Sequence, residues 1–533
     1  MSQEDVWTIF QNPPNEYRMA PFWFWNHVMK REELDAQLAD FADHGIGGGF
    51  MHARHGRLTP YMSEAWLRVT RECAQDANSR GMYAWLYDED NWPSGTCGNA
   101  LKDLQHGIKV LGVVDEDVIH GPVHYEGLVE LPAGAGVSLY MVLAIPLEEV
   151  PDPWMTCDLA QTLGFQGTGY APGCITGHPE EIRDITPADG EADYVWDAPE
   201  GTWLVATLAW AINPNYLNTL NRKACRDFVK STHEKYAKEL EKVPGLVPGV
   251  VPGIFTDEPS FDYTLKGNFM GRAITWDEDA EAQLRRRVKD LEPWQAIPYA
   301  FYEGGAITTR LRCMVWESIT QAYADAFHGE IYRFCDLHGW ITTGHLNGEG
   351  GFPGSITNQG DVFTIFEKMH FTGIDQLTTG LRLEGVRFPY AGTNPYRGAM
   401  QDNMFSGKLA SSAAHLLNKP RVLSECFGTS GWMLTLEGQK RLVDWAIITG
   451  VDYFVPHDFS YSIEGVRKRD HPPSFNHQPY YPLYRTIADY TARLAAVFSV
   501  NHGRTLARIA VLYPSKSFWR SLGPRESPTS TLL

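Results

Sequence analysis

Two kinds of hydrophobic spacing alternate along the chain. Continuous apolar runs such as residues 19–26 (Met-Ala-Pro-Phe-Trp-Phe-Trp-Asn) predict strands buried on both faces. The segment that follows places Leu34, Leu38, Phe41 and Ala42 at helical spacing, which predicts one apolar helix face. Residues 45–51 read as a second strand whose glycines permit close backbone approach, and 63–79 as a helix with Ser63 as its N-cap. Residues 81–87 form a third predicted strand, ending on Asp88-Glu89-Asp90.

The rhythm then breaks. Residues 103–209 carry short alternating runs, such as 138–145 and 202–207, separated by Gly/Pro/Asp-rich connections. That pattern predicts an antiparallel β-domain. Strand and helix signals resume with a helix over 216–241, a strand over 251–257 and a long helical region over 303–338. Further strands are expected at 340–347, 373–377, 421–425 and 451–456, with helices at 404–418, 435–449 and 481–499. Eight βα units result, so the predicted fold class is α/β, a (β/α)8 barrel with an inserted antiparallel β-domain. The expected division is barrel strands one to three in 1–102, the inserted domain in 103–209 and strands four to eight in 210–504. Residues 507–514 read as a strand opening a further, truncated α/β domain in 505–533.

In that register Glu258 closes the fourth strand and Glu425 the seventh. A carboxylate at the end of a buried strand is costly unless a cleft or a partner receives it. Active sites of such barrels lie at the C-terminal ends of the strands, where the fourth and seventh face one another. A pair of carboxylates there suits glycosidic cleavage, with one as general acid and the other as nucleophile or base. The structural alternative is a pair of glutamates bound to arginines or capping helices.

Asn26, His27, His52, Arg54, Asp88, Glu89, Asp90, His345, Asn347, His457 and Asp458 also fall at strand ends, a donor and acceptor mixture suited to sugar hydroxyls. Each one singly is as well explained by a structural hydrogen bond.

Composition narrows the partners. A net charge of −19 offers nothing to neutralise phosphates, so nucleic acid is excluded as a partner. An oligosaccharide or glycoside is the expected substrate. No apolar run reaches membrane-spanning length, and the N-terminus lacks the pattern of a signal peptide, which makes the cytoplasm the default location. The eight cysteines are scattered without a CxxC pair, arguing for neither zinc nor a disulfide framework. His52, His55, His345, Asp88 and Asp90 lack tight metal-ligand spacing, and the metal ligands stay unknown. The acidic loop 88–90 leaves room for an oxygen-ligated calcium ion. Oligomeric state is not legible.

Several motifs are familiar together: Pro21-Phe-Trp-Phe-Trp-Asn26, Gly45-Ile-Gly-Gly-Gly-Phe-Met-His52, Tyr87-Asp-Glu-Asp-Asn-Trp-Pro-Ser-Gly95, Phe255-Thr-Asp-Glu-Pro259 and Ser424-Glu-Cys-Phe-Gly428. Over roughly residues 10–500 the chain resembles the large bacterial glycoside hydrolases around family 106, which contains α-L-rhamnosidases. The resemblance implies a catalytic barrel, usually with β-sandwich domains, and a bound calcium ion. It is also similar to the broader barrel superfamily with an acid on strand four and a nucleophile on strand seven, positions matched by Glu258 and Glu425. This chain carries Asp257-Glu258 where that superfamily commonly has Asn-Glu. The superfamily retains anomeric configuration and family 106 is expected to invert. The rival expectation is a non-catalytic carbohydrate-binding protein on a truncated hydrolase barrel. A lyase or isomerase would need a metal or a lysine base that the sequence does not place.

Overall fold

The computed structural model describes residues 3–134, 136–148, 174–188, 190–262, 273–349, 352–376, 406–469, 473–499 and 507–522. Its strands, in chain order, are β1 (Phe22–Trp25), β2 (Gly48–Ala53), β3 (Tyr83–Asp90), β4 (Gly107–Leu128), β5 (Ser138–Glu148), β6 (Cys174–Ile175), β7 (Arg183–Asp184) and β8 (Asp193–Leu217). They continue as β9 (Gly253–Thr256), β10 (Ala273–Thr275), β11 (Ile341–Gly344), β12 (Thr372–Gln376), β13 (Val422–Cys426), β14 (Tyr453–Pro456) and β15 (Phe459–Ser460).

The protein is a mixed α/β fold built around a curled sheet in the order β11-β9-β3-β2-β1-β15, whose adjacent strands run parallel. A second parallel sheet, β12-β13-β14, stands beside it. Backbone hydrogen bonds bridge the two at both seams: the amides of His370 and Phe371 donate to Thr342 O, and the amide of Ala20 donates to Phe454 O. Phe22, Phe24, Phe50, Trp85, Phe255, Leu423 and Tyr453, drawn from both sheets, pack into one buried cluster. β1 shows why its sequence is apolar throughout. Phe22 and Phe24 join that cluster, while Trp23 and Trp25 pack against Phe41 and Trp66 of the helices Arg31–Asp43 and Glu64–Ser79. Ser63 caps the latter helix, accepting from the Trp66 amide at 3.2 Å.

The long strands β4, β8 and β5 pair antiparallel. β10, from much later in the chain, adds to the edge of this sheet against β4, a pairing invisible to local patterning.

Two local expectations are corrected. The helix expected over 216–241 begins only after β8 ends at Leu217, and it is two helices, Arg222–Ser231 and His233–Leu240. They break at Thr232, where φ is −120° and ψ −72°. The helical region 303–338 contains a wider π turn at Ala324–His328. Residues 507–514 form no strand. Ile509, Val511 and Leu512 are more than four-fifths exposed there, and no strand pairs with this segment among the described residues.

Candidate active site

Strand register brings the acids together. In the β9–β11 pair Thr256 lies beside Gly344, so Asp257 and His345 leave neighbouring strand ends side by side. In the β12–β13 pair Asp375 lies directly beside Glu425. Gly344 has φ +130°, and a Cβ there would lie 1.9 Å from Thr256 O, so only glycine delivers His345 at this point. Glu258 adopts φ +46°, a left-handed conformation that is strained for a residue with a side chain and is stored most often at functional sites.

His345 is the hub. Its Nε2 lies 2.8 Å from Glu425 Oε2 and 3.1 Å from Asp257 Oδ1, and its Nδ1 lies 3.5 Å from Glu349 Oε1. Glu349 in turn accepts from the Asp375 amide at 2.6 Å. Asp257, His345, Glu349 and Glu425 are buried, whereas Glu258 and Asp375 are half-buried. The Tyr87 hydroxyl donates to Asp257 Oδ2, and Ser94 Oγ accepts from the Asp257 amide at 2.8 Å.

Five carboxylates around one imidazole cannot all ionise cheaply. Burial, and then the charge of Asp257, push Glu258 up to about 8. Burial also pushes Glu425 up to about 7, against the opposing pull of its hydrogen bond to His345. Asp375 is held well above the usual carboxylate range by burial and by Glu425 beside it. Burial disfavours a charged imidazole, yet the bonds to Asp257, Glu349 and Glu425 outweigh it and hold His345 well above its ordinary value.

The remaining predicted residues have differing engagements. His52 is buried, stacked on Tyr87 with ring centroids 3.5 Å apart, and burial and Arg54 depress its pKa well below the ordinary value. Arg54 is buried between the rings of Phe24 and Trp92, at 4.4 and 4.6 Å. Asp88 accepts from Ser94 Oγ and, at 2.7 Å, from Thr256 Oγ1, which ties β3 to β9. Glu89 turns into its own loop, accepting from the backbone amides of Asp90, Gly95, Thr96, Cys97 and Gly98. Asn26 exchanges two hydrogen bonds with the Ser462 backbone. Asn347 accepts from Asn358 Nδ2 at 2.7 Å. His457 and Asp458 are buried next to each other, and Asp458 accepts from Ser460 Oγ at 2.8 Å.

Asp257, Glu349 and Asp375 had not been singled out from the sequence. Asp375 carried a readable signal, since Gly373-Ile-Asp-Gln-Leu377 sets a carboxylate inside an apolar strand, as at Glu425. Asp257 was masked by the neighbouring Glu258. Glu349 lies in a connection and had no local signal.

Two sets of side chains place ligand atoms within 4.8 Å of one another: Asp257, His345 and Glu425, and Glu258, His345 and Asp375. Asp375 Oδ1 is buried without a hydrogen-bond partner. The carboxylate oxygens of these sets, one of them unsatisfied, fit a hard cation such as calcium, and His345, held protonated by its acid neighbours, would stand outside the coordination.

No family model and no curated protein matches the chain. Among solved structures, the chain is similar to the rhamnosidase from Novosphingobium sp. PP1Y, with TM-score 0.66 and 16% identity over 93% of this chain and 60% of the rhamnosidase. The endo-beta-1,4-mannanase from Thermotoga petrophila aligns over 92% of this chain and 79% of its own, with 10% identity and a TM-score of 0.36, too low to bear on the fold. The chain thus spans 60% of the length of the rhamnosidase whose fold it shares.

Proposed function

We propose that this protein is a glycoside hydrolase that cleaves a terminal glycosidic bond, with α-L-rhamnose or a related deoxyhexose as the sugar released. The observation that carries this reading is the convergence of Glu258 and Glu425, from β9 and β13, on His345. The shared fold with a rhamnosidase supports the class of reaction. The hydrogen bonds at both seams support closure of the two parallel sheets into a catalytic (β/α)8 barrel.

Glu258 is the general acid. Its raised pKa keeps a proton on the carboxyl near neutrality, ready for the glycosidic oxygen as the C–O bond breaks. Glu425, oriented by His345, is the partner that attacks the anomeric carbon or takes the proton of an attacking water. A carboxyl separation of ~5 Å goes with retention of configuration and ~6.5–9.5 Å with inversion. Asp375, whose Oδ1 has no hydrogen-bond partner, would be the ligand to a calcium ion, which when bound supplies positive charge amid the crowded acids and coordination for sugar hydroxyls, with Glu258 left protonated as the acid.

The test is turnover of a panel of aryl glycosides, led by 4-nitrophenyl α-L-rhamnoside. Release of nitrophenol that is lost in Glu258→Gln and Glu425→Gln is expected. Sugar binding without turnover, unchanged in both variants, would instead mark a non-catalytic carbohydrate-binding protein.

A further inference from the structure

The loop after β3 is held more firmly than its length requires. Glu89 is buried and gathers five backbone amides of residues 90–98 onto one carboxylate. Ser94 then ties the loop to the neighbouring strand end, donating its amide to Asp257 O at 2.9 Å while its Oγ accepts from the Asp257 amide. Buried acceptors and donors satisfied in this number leave the loop little freedom. Trp92, within that rigid loop, is 41% exposed, an unusual state for so large a ring. Its ring stacks on the Arg54 guanidinium, which also lies over the ring of the buried Phe24. Arg54 Nη1 also lies 3.4 Å from His52 Nε2, and the His52 ring stacks on Tyr87, whose hydroxyl donates to Asp257 of the acid cluster.

We infer that Trp92 forms the leaving-group subsite, a fixed aromatic platform for an aglycone with a flat apolar face, either an aryl group or the C–H face of a pyranose. The inference rests on the reading of Glu258 as the acid. A general acid stands on the side of the departing oxygen, so what it departs with lies against the elements flanking that acid. β3 is the strand next to β9, and Ser94, two residues from Trp92, is bonded to the residue preceding Glu258. Stacking on an indole with a cation behind it favours flat, weakly polar partners, because the ring can offer them contact area without competing for hydrogen bonds.

Trp92→Ala and Trp92→Phe should be compared on three α-L-rhamnosides: a 4-nitrophenyl glycoside, a disaccharide and the glycosyl fluoride, whose leaving group has no face to stack. For Trp92→Ala, an increase in KM of about tenfold is expected on the substrate whose leaving group stacks. The fluoride should lose much less, and Trp92→Phe should recover most of the difference. A loss confined to the aryl glycoside identifies an aryl aglycone, and one confined to the disaccharide a sugar. Equal losses on all three substrates, or none, would overturn the inference. If the wild type turns over no glycoside, the hydrolase reading fails, and calorimetry with 4-nitrophenyl α-L-rhamnoside then decides on Trp92 separately. Binding lost in Trp92→Ala and kept in Trp92→Phe supports the platform. Equal binding in all three proteins, or none to the wild type, refutes it.

Discussion

Glu425 Oε2 lies 2.8 Å from His345 Nε2, and that nitrogen is also 3.1 Å from Asp257 Oδ1. One buried imidazole therefore positions two carboxylates that start 168 residues apart in the chain, Asp257 and Glu425. Removing it leaves them buried without their counter-charge.

Replacing His345 by Gln should accordingly cost about 3–5 kcal/mol of stability, the range for breaking a buried ion pair. Urea unfolding measures this directly. The same cluster sets a pH trend. His345 has a raised folded pKa, so its contribution is full below about 6.5 and is lost as pH rises through the raised value. Glu258 and Glu425 are also raised, so theirs is full below about 4.5 and is lost as pH rises through about 7 for Glu425 and about 8 for Glu258. All three have the same sign. The urea midpoint should fall between pH 5 and pH 9, and a midpoint that climbs over that range would contradict the arrangement.

The acid and its partner should separate by leaving group. Glu258→Gln should lower kcat/KM by about 10²–10⁴-fold on substrates with poor leaving groups, and by much less on a glycosyl fluoride that needs no proton. Glu425→Gln should impair both alike. In the wild type, kcat/KM should peak between about pH 7 and 8, with the acid limb set by Glu425 and the alkaline limb by Glu258. A fluoride as strongly affected as the poor substrates in Glu258→Gln would argue against its role as acid.

Calcium should bind at Asp375, beside Glu258. A bound cation favours ionised carboxylates, so calcium should move the alkaline limb to lower pH and a chelator should move it back. It should also raise Tm, by the equivalent of about 2.7 kcal/mol at a hundredfold excess over Kd. Asp375→Asn should abolish both responses. A melting curve indifferent to calcium and chelator would remove the ion from the site.

Much of the framework was legible because burial on both faces leaves a plain mark. Runs such as Phe22–Trp25 and Val422–Cys426 have no polar alternation, and Glu258 and Glu425, beside or within such runs, are legible for that reason. Elements whose identity depends on distant partners were not legible. β10 is a strand because β4, more than a hundred residues earlier in the chain, offers it an edge. Glu89 and Asn26 matched the pattern of ligand contacts, yet both spend their polar atoms on nearby backbone, a choice made by loop geometry.

The sequence by itself determined that strands alternate with helices and that two glutamates close buried strands, because hydrophobic period and desolvation cost are local properties. Only the tertiary structure decided which acids meet. Strand register places Asp257 beside His345 and Asp375 beside Glu425, and the low dielectric they share turns separate carboxylates into one coupled group.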